Sequence, residues 1–337
     1  VLFVVSAGNH PTTISLGVSR EEFDSFQTDQ FEAATIKALY RDARHRKLLS
    51  PAETINGISV GAVHLDEAQV AHQGNRIDPF GRPLPSPVSA FGSGYRRAIK
   101  PDVIFYGGRQ WYRLPLQPTN PVTIEPAIFR TTPGNKVASP GSLAGELNAT
   151  SYSCGTSNAT ALISRAAGIC YDSLQQIFNE QAAEVDPSNY EVPLLKAMLV
   201  HGCSWGDIGS RISEVLRTPE NGRQLSGLIS RWIGYGIPVV DRVLDCTEQR
   251  ATVLGFGQLS DGEAHVFSLP LPPSLGSRPE WRRLTVTLAW LSPISASTQK
   301  YRTASLWFEM NNNGLAPTRS DADWRAVRRG TVQHEVF

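Results

Sequence analysis

The segment Gly155-Thr156-Ser157-Asn158-Ala159-Thr160 sets a serine in a turn of small residues that opens an apolar-periodic stretch. A serine at a helix start has unpaired backbone N–H groups beside it and the positive end of the helix dipole. Both favour negative charge developing on a neighbouring carbonyl oxygen. Gly155 lets a second backbone approach closely. The same tripeptide also suits an ordinary helix cap. A second candidate is Asn9, which closes Ser6-Ala7-Gly8-Asn9 after the apolar run Val1–Val5. Its amide can donate to an oxyanion, although asparagine is common in turns for its tolerance of left-handed backbone. Cys154 has no His or Lys flanking it and reads as a small buried hydrophobe rather than an activated thiol.

A nucleophilic serine needs a base, because without one its hydroxyl is weak. None of the seven histidines stands in a convincing position. His201 sits in an apolar helical stretch and reads as a core histidine, while His10, His64 and His72 fall in loops or at strand ends. Asp102 lies in the turn Lys100-Pro101-Asp102, and Asp261-Gly262 is a turn signal. No DxDxDG spacing supports a calcium loop of EF-hand type.

The elements that must position these groups follow from period and punctuation. Val1–Val5, Ile55–Val63 and Val103–Tyr106 are short apolar runs of the kind found in buried parallel strands. Ser19 and Glu22 form a capping box at the head of a helical stretch over 20–49, with Arg41, Arg44, Arg46 and Lys47 loading its C-terminal end. Helices are expected over 159–177 and 194–200. Residues 107–150 form a long Pro- and Gly-rich segment without period, expected to serve as a cleft wall or partner contact or else as a solvated insertion. The reading to residue 245 is α/β with a parallel sheet flanked by helices. From 250 to 337 the period becomes two: Leu284, Val286, Leu288 and Trp290 share a face, and Leu306 and Phe308 alternate again. Pro270, Pro272, Pro273 and Gly276 punctuate the strands, and Trp281, Trp290, Trp307 and Phe308 are the expected core of an antiparallel β-sandwich.

The chain has 337 residues, room for about two domains, divided here as 1–245 and 250–337. Its 32 Lys and Arg against 31 Asp and Glu exclude bulk electrostatic grip on nucleic acid or on a membrane surface. No apolar run approaches the ~20 residues of a membrane span. Four cysteines are too few for a disulfide scaffold and lean towards a reducing, cytoplasmic compartment, although location itself is left open. The first residue is Val1, inside an apolar run, and the last lie in a strand-like run to Phe337, so the chain reads as a segment of a longer protein.

Taken in order, these motifs resemble the subtilisin-like serine proteases, the subtilases of peptidase family S8. VVSAGN at 4–9 resembles that family's oxyanion strand and turn, and GTSNAT at 155–160 resembles its nucleophile motif. SPAETINGISVGAV at 50–63, SAFGSG at 89–94 and KPDVIFYGG at 100–108 resemble the intervening segments. LLKAMLVHGC at 194–203 and GYGIPVVDRVL at 234–244 resemble the closing helices, and LTVTLAW at 284–290 a strand of a following jelly-roll-like sandwich. The resemblance implies a polypeptide substrate, Ser157 as nucleophile, and Asn9 with the Ser157 N–H as oxyanion hole. It also implies that Ser6, Ala7, Gly8, Gly155 and Thr156 line the substrate site. No cofactor is evident, though a structural calcium is implied by the resemblance. Two departures stand out: Ala161 occupies the place of the family's proline, and Asn158 that of its usual methionine. The family's Asp and His precede the oxyanion strand and are expected before Val1, so residues 1–337 alone are expected to be nearly inert. The rival reading is a catalytically silent subtilase-like binding module. An α/β-hydrolase is a weaker rival, since the G-x-S-x-G spacing is lacking.

Overall fold

The computed structural model describes residues 1–337 except 70–73, 129, 181–185, 223, 249, 269–282, 296, 298–301 and 310–329. In chain order the first elements are β1 (Val4–Ser6), β2 (Ile14–Ser15), α1 (Arg20–Asp24), α2 (Thr28–Arg41) and β3 (Ile58–Val63). Then come β4 (Arg76–Ile77), β5 (Gly92–Ser93), β6 (Ile99–Lys100), β7 (Val103–Tyr106), β8 (Tyr112–Arg113), β9 (Thr123–Pro126), β10 (Asn135–Ala138) and β11 (Thr150–Ser153). The remainder is α3 (Thr156–Glu180), α4 (Glu191–His201), α5 (Gly206–Leu216), α6 (Leu225–Ile233), α7 (Asp241–Leu244), β12 (Thr285–Ala289) and β13 (Val332–Val336).

The centre is a parallel sheet in the order β1-β3-β7, with Val4 opposite Ile58 and Val60 opposite Val103. β3 is buried along its whole length because both of its faces are covered. Ile58, Val60, Ala62 and Val103 pack on Ala159, Ile163 and Ala166 of α3 and on Leu195 and Leu199 of α4. On the opposite face, Val63 and Ile104 meet Ile36 and Leu39 of α2, Ile208 and Ile212 of α5, and Ile229 and Trp232 of α6. The result is helix, sheet, helix, as the alternating pattern predicts.

Several expectations are corrected. The Val1–Val5 run is not a strand covered on both faces: β1 is half-buried at the sheet edge, Val1 and Phe3 are exposed, and β3 takes the central place. The helical stretch over 20–49 is two helices. Ser19 Oγ does accept from Glu22 N–H at 3.2 Å, but the first helix stops at Asp24, where the Ser25 hydroxyl turns back to Glu22 O, and a second capping box of Gln27 and Gln30 starts α2. The 107–150 segment is ordered into antiparallel ribbons: one sheet runs β2-β9-β8-β4, and β10 pairs with β11. Their strands are two to four residues long, too short for a period to register.

Beyond residue 245 the described residues do not show a jelly roll. They contain one antiparallel pair, β12 with β13, in which Thr287 faces His334. Trp290 is buried as expected, but Trp307 is 58 % exposed. Trp281 and the prolines at 270, 272 and 273 lie outside the described residues. The β12–β13 pair lies against α4, and Val332 and Ala289 join the core beneath it. Lys196 of α4 ties this contact down. Its buried Nζ donates to Thr331 Oγ1 at 2.7 Å and to the carbonyls of Ile55, Asn56 and Gly57 at 3.2–3.3 Å. Burial pulls its pKa down to about 7, with Asp102 opposing and Lys100 reinforcing the fall.

Candidate active site

In an open parallel sheet, ligands bind beyond the carboxyl ends of the strands. Here β1 ends at Ser6, β7 runs into Gly107, and the N-terminus of α3 stands against both. Gly8 N–H donates to Thr156 Oγ1 at 3.2 Å, and Gly155 N–H donates to Gly107 O at 2.8 Å. The two sequence candidates, far apart in the chain, are thereby brought to one place.

Asn9 is fixed by this junction. Its Oδ1 accepts from Thr156 N–H at 3.0 Å and from Thr156 Oγ1 at 3.3 Å. A backbone N–H can only donate, so the oxygen must face Thr156 and the Nδ2 group must point away from it. Gly155 is required here: its φ is +138°, and a Cβ would stand 2.9 Å from Asn9 Oδ1 and 3.0 Å from Nδ2. Ser157 follows in the first turn of α3 and is exposed, as is Asn9. Among the described residues, Asn9 Nδ2, Ser157 Oγ and Ser157 N–H have no hydrogen-bond partner.

The turn before the serine is braced from behind. Asn158 Nδ2 donates to Ser153 O at 2.9 Å and to Gly107 O at 3.4 Å, while Ser153 Oγ donates to Asn158 Oδ1. Cys154 Sγ points to Gln110 Oε1 at 3.2 Å, and burial, reinforced by Asp66, pushes its thiol up to about 11. That thiol stays protonated near neutral pH, in keeping with a structural cysteine.

His64, His10, His45 and His201 are engaged elsewhere. His64 is buried. Its Nδ1 accepts from Gln110 N–H at 3.1 Å, so the proton sits on Nε2 and is directed to Asp78 Oδ1 at 2.7 Å. Trp111 Nε1 holds the other oxygen of Asp78. This His–Asp pair resembles part of a charge relay but has no free nitrogen. His10 Nε2 meets Lys47 O, His45 meets Asp42, and His201 meets Thr287 Oγ1 at 3.0 Å as a satisfied core histidine. His72 lies outside the described residues. Asp102 is a buried structural group, taking Ser59 N–H at 2.7 Å and pairing with Lys100.

A family model described as "Subtilase family" matches residues 1–236. The chain belongs to the subtilase family. Its members are serine peptidases of the S8 type, acting on polypeptides. No curated protein and no solved structure matches the chain. The subtilase match ends at Gly236, so it covers the parallel sheet and α1–α6 and leaves α7, β12 and β13 outside.

Two positioning features escape a reading of the sequence. Arg46 looks like a helix-end charge, yet it is buried and donates to Pro87 O at 2.7 Å, Thr12 Oγ1 at 2.9 Å and Asp42 at 3.0 Å. It clamps the segment that follows α2 onto the turn that follows Asn9. Gln110, with no motif around it, links His64 to Cys154. Among the described residues no three His, Cys, Asp or Glu groups gather as ligands, and Asp66 and Asp78 are engaged by Arg109 and by His64 with Trp111. No helix of the described residues is long and apolar enough to cross a membrane.

Proposed function

We propose that this subtilase is an endopeptidase working through an acyl-enzyme on Ser157. Ser157 Oγ attacks the scissile carbonyl carbon as its proton passes to a base. The carbonyl oxygen becomes an oxyanion held by Asn9 Nδ2–H and Ser157 N–H. Collapse of the tetrahedral intermediate expels the amine, and water then hydrolyses the acyl ester. Ser6, Ala7 and Gly8 line the pocket for the residue on the acyl side of the scissile bond, with Gly155 and Thr156 beside them. The observation that supports this reading is the bond from Thr156 N–H to Asn9 Oδ1, which ties Asn9 to the residue before Ser157 and leaves its amide N–H group without a partner among the described residues.

The base comes from outside the described residues, since no histidine among them bonds to Ser157. Residues 250–337 are read as belonging to a β-sandwich unit, supported by the 284–290 alternation and the β12–β13 pair. A second reading, a silent binding module, draws on the same lack of an imidazole bonded to Ser157 among the described residues. A fluorophosphonate probe applied to the full-length protein separates the two. Labelling that disappears in Ser157→Ala is the expected result, and an intact, folded protein that takes no label supports the binding module.

A further inference from the structure

Leu49 is an anomaly beside the site. It is 44 % exposed, yet its side chain packs straight onto Gly8: a Cβ built there would stand 2.6–2.7 Å from Leu49 Cγ, Cβ and Cδ1. Its neighbour Leu48 points the other way and is buried with Ala7, Ala52 and Ala90. Leu49 therefore adds little to the core and much to the surface next to Gly8 and Asn9.

The segment that carries Leu49 has little room to withdraw. Leu49 N–H donates to Ala7 O at 3.0 Å, and Leu49 O accepts from Ala52 N–H at 2.9 Å. One residue pair back, Lys47 O meets His10 Nε2 at 2.8 Å, and Arg46 is clamped to Pro87 and Thr12. Leu49 is thus held to Ala7 by its backbone N–H, Lys47 to His10 by its carbonyl, and Arg46 to Thr12 by its side chain. A leucine fixed in this way is a wall rather than a flap.

Resting on the reading of Ser6, Ala7 and Gly8 as the acyl-side pocket, we propose that Leu49 is a specificity-determining residue. It fills the space above Gly8 that a large substrate side chain would otherwise occupy. The protein then cleaves after small residues such as Ala, Ser or Gly and discriminates against Phe and Leu. Steric exclusion is an efficient way to gain such selectivity, because a clash lowers the transition-state binding of the wrong substrate without weakening the right one.

The test uses the full-length protein and two chromogenic peptides that differ only in having Ala or Phe before the scissile bond. The expected kcat/KM ratio favours Ala by at least about tenfold, and Leu49→Gly moves it towards Phe by about 10–100-fold, with Leu49→Ala intermediate. Thermal midpoints of both variants should stay close to the parent's, since the side chain is half-exposed. A parent that cleaves the Phe peptide as well as the Ala peptide overturns the inference. So does a folded Leu49→Ala variant with an unmoved ratio, provided the parent labels at Ser157 and cleaves. A parent that neither takes a fluorophosphonate nor cleaves either peptide brings down the peptidase reading itself, a distinct outcome.

Discussion

The amide of Asn9 acquires meaning from the group it is bonded to. Thr156 N–H fixes which end of the amide is the oxygen, so the donor end is the one without a partner among the described residues. Replacing Asn9 by Ala removes that donor together with the acceptor of Thr156 N–H. The expected loss is about 10²–10³ in kcat with little change in KM, a magnitude carried over from subtilisin itself. Steady-state kinetics check it, and a loss confined to KM would place Asn9 in substrate binding instead. The same logic shows why His64, despite its carboxylate partner, is not the base: both ring nitrogens are committed.

At the scale of elements, the segment that follows α2 packs against the Ala7–His10 turn from outside the sheet. Arg46 is its anchor, buried among the carbonyl of Pro87, the hydroxyl of Thr12 and the carboxylate of Asp42. Arg46→Ala leaves the buried carbonyl of Pro87 without its charged donor and frees Thr12 and Asp42 at the rim. The expected cost is about 2–3 kcal/mol, read as a fall in the urea midpoint, with a loss of turnover because the turn after Asn9 loses its brace. A surface arginine in the last turn of a helix would cost under about 1 kcal/mol, and that smaller value would contradict the clamp. The central strands were legible from the sequence, because Ile58–Val63 and Val103–Tyr106 carry continuous apolar runs, and so were α3, α4 and the capped start of the 20–49 stretch, whereas α5 and α6, which cover one face of the sheet, were not expected. The ribbons of 107–150 were not, since strands of two to four residues lack a period. Asn9 and Ser157 could be singled out by residue type and motif. Arg46, Gln110 and Leu49 could not, because their roles arise from contacts made across the fold.

For the molecule as a whole, the β12–β13 pair is fastened to the subtilase body through buried polar groups. His334 of β13 meets Thr287 Oγ1 at 2.8 Å, and the same hydroxyl meets His201 of α4; Tyr235 packs on the His334 ring, and Glu335 and Arg283 stand nearby. Burial, followed by His201 and Arg283, holds the His334 pKa down to about 3, and burial with Arg283 lowers that of His201. The folded form therefore binds fewer protons than the unfolded chain between pH 6.5 and about 3. The stability from this group is fully present above pH 6.5 and is lost on acidification through that window, at up to about 1.4 kcal/mol per pH unit. Lys196 acts in a separate window: its lowered pKa makes stability rise with pH from about 7 towards 10.5. Denaturant midpoints measured from pH 7 to 4 should fall more steeply for the parent than for His334→Gln. Parallel curves would show that the histidine is already solvated and charged in the folded state.

The central claim is that Asn9 and Ser157 converge on one developing oxyanion. A crystal structure of the full-length protein phosphonylated by a fluorophosphonate tests it most directly. The account predicts a covalent bond at Ser157 Oγ and a phosphoryl oxygen about 2.7–3.1 Å from both Asn9 Nδ2 and Ser157 N. A phosphoryl oxygen bonded to neither group, or an adduct on a different residue, would contradict it.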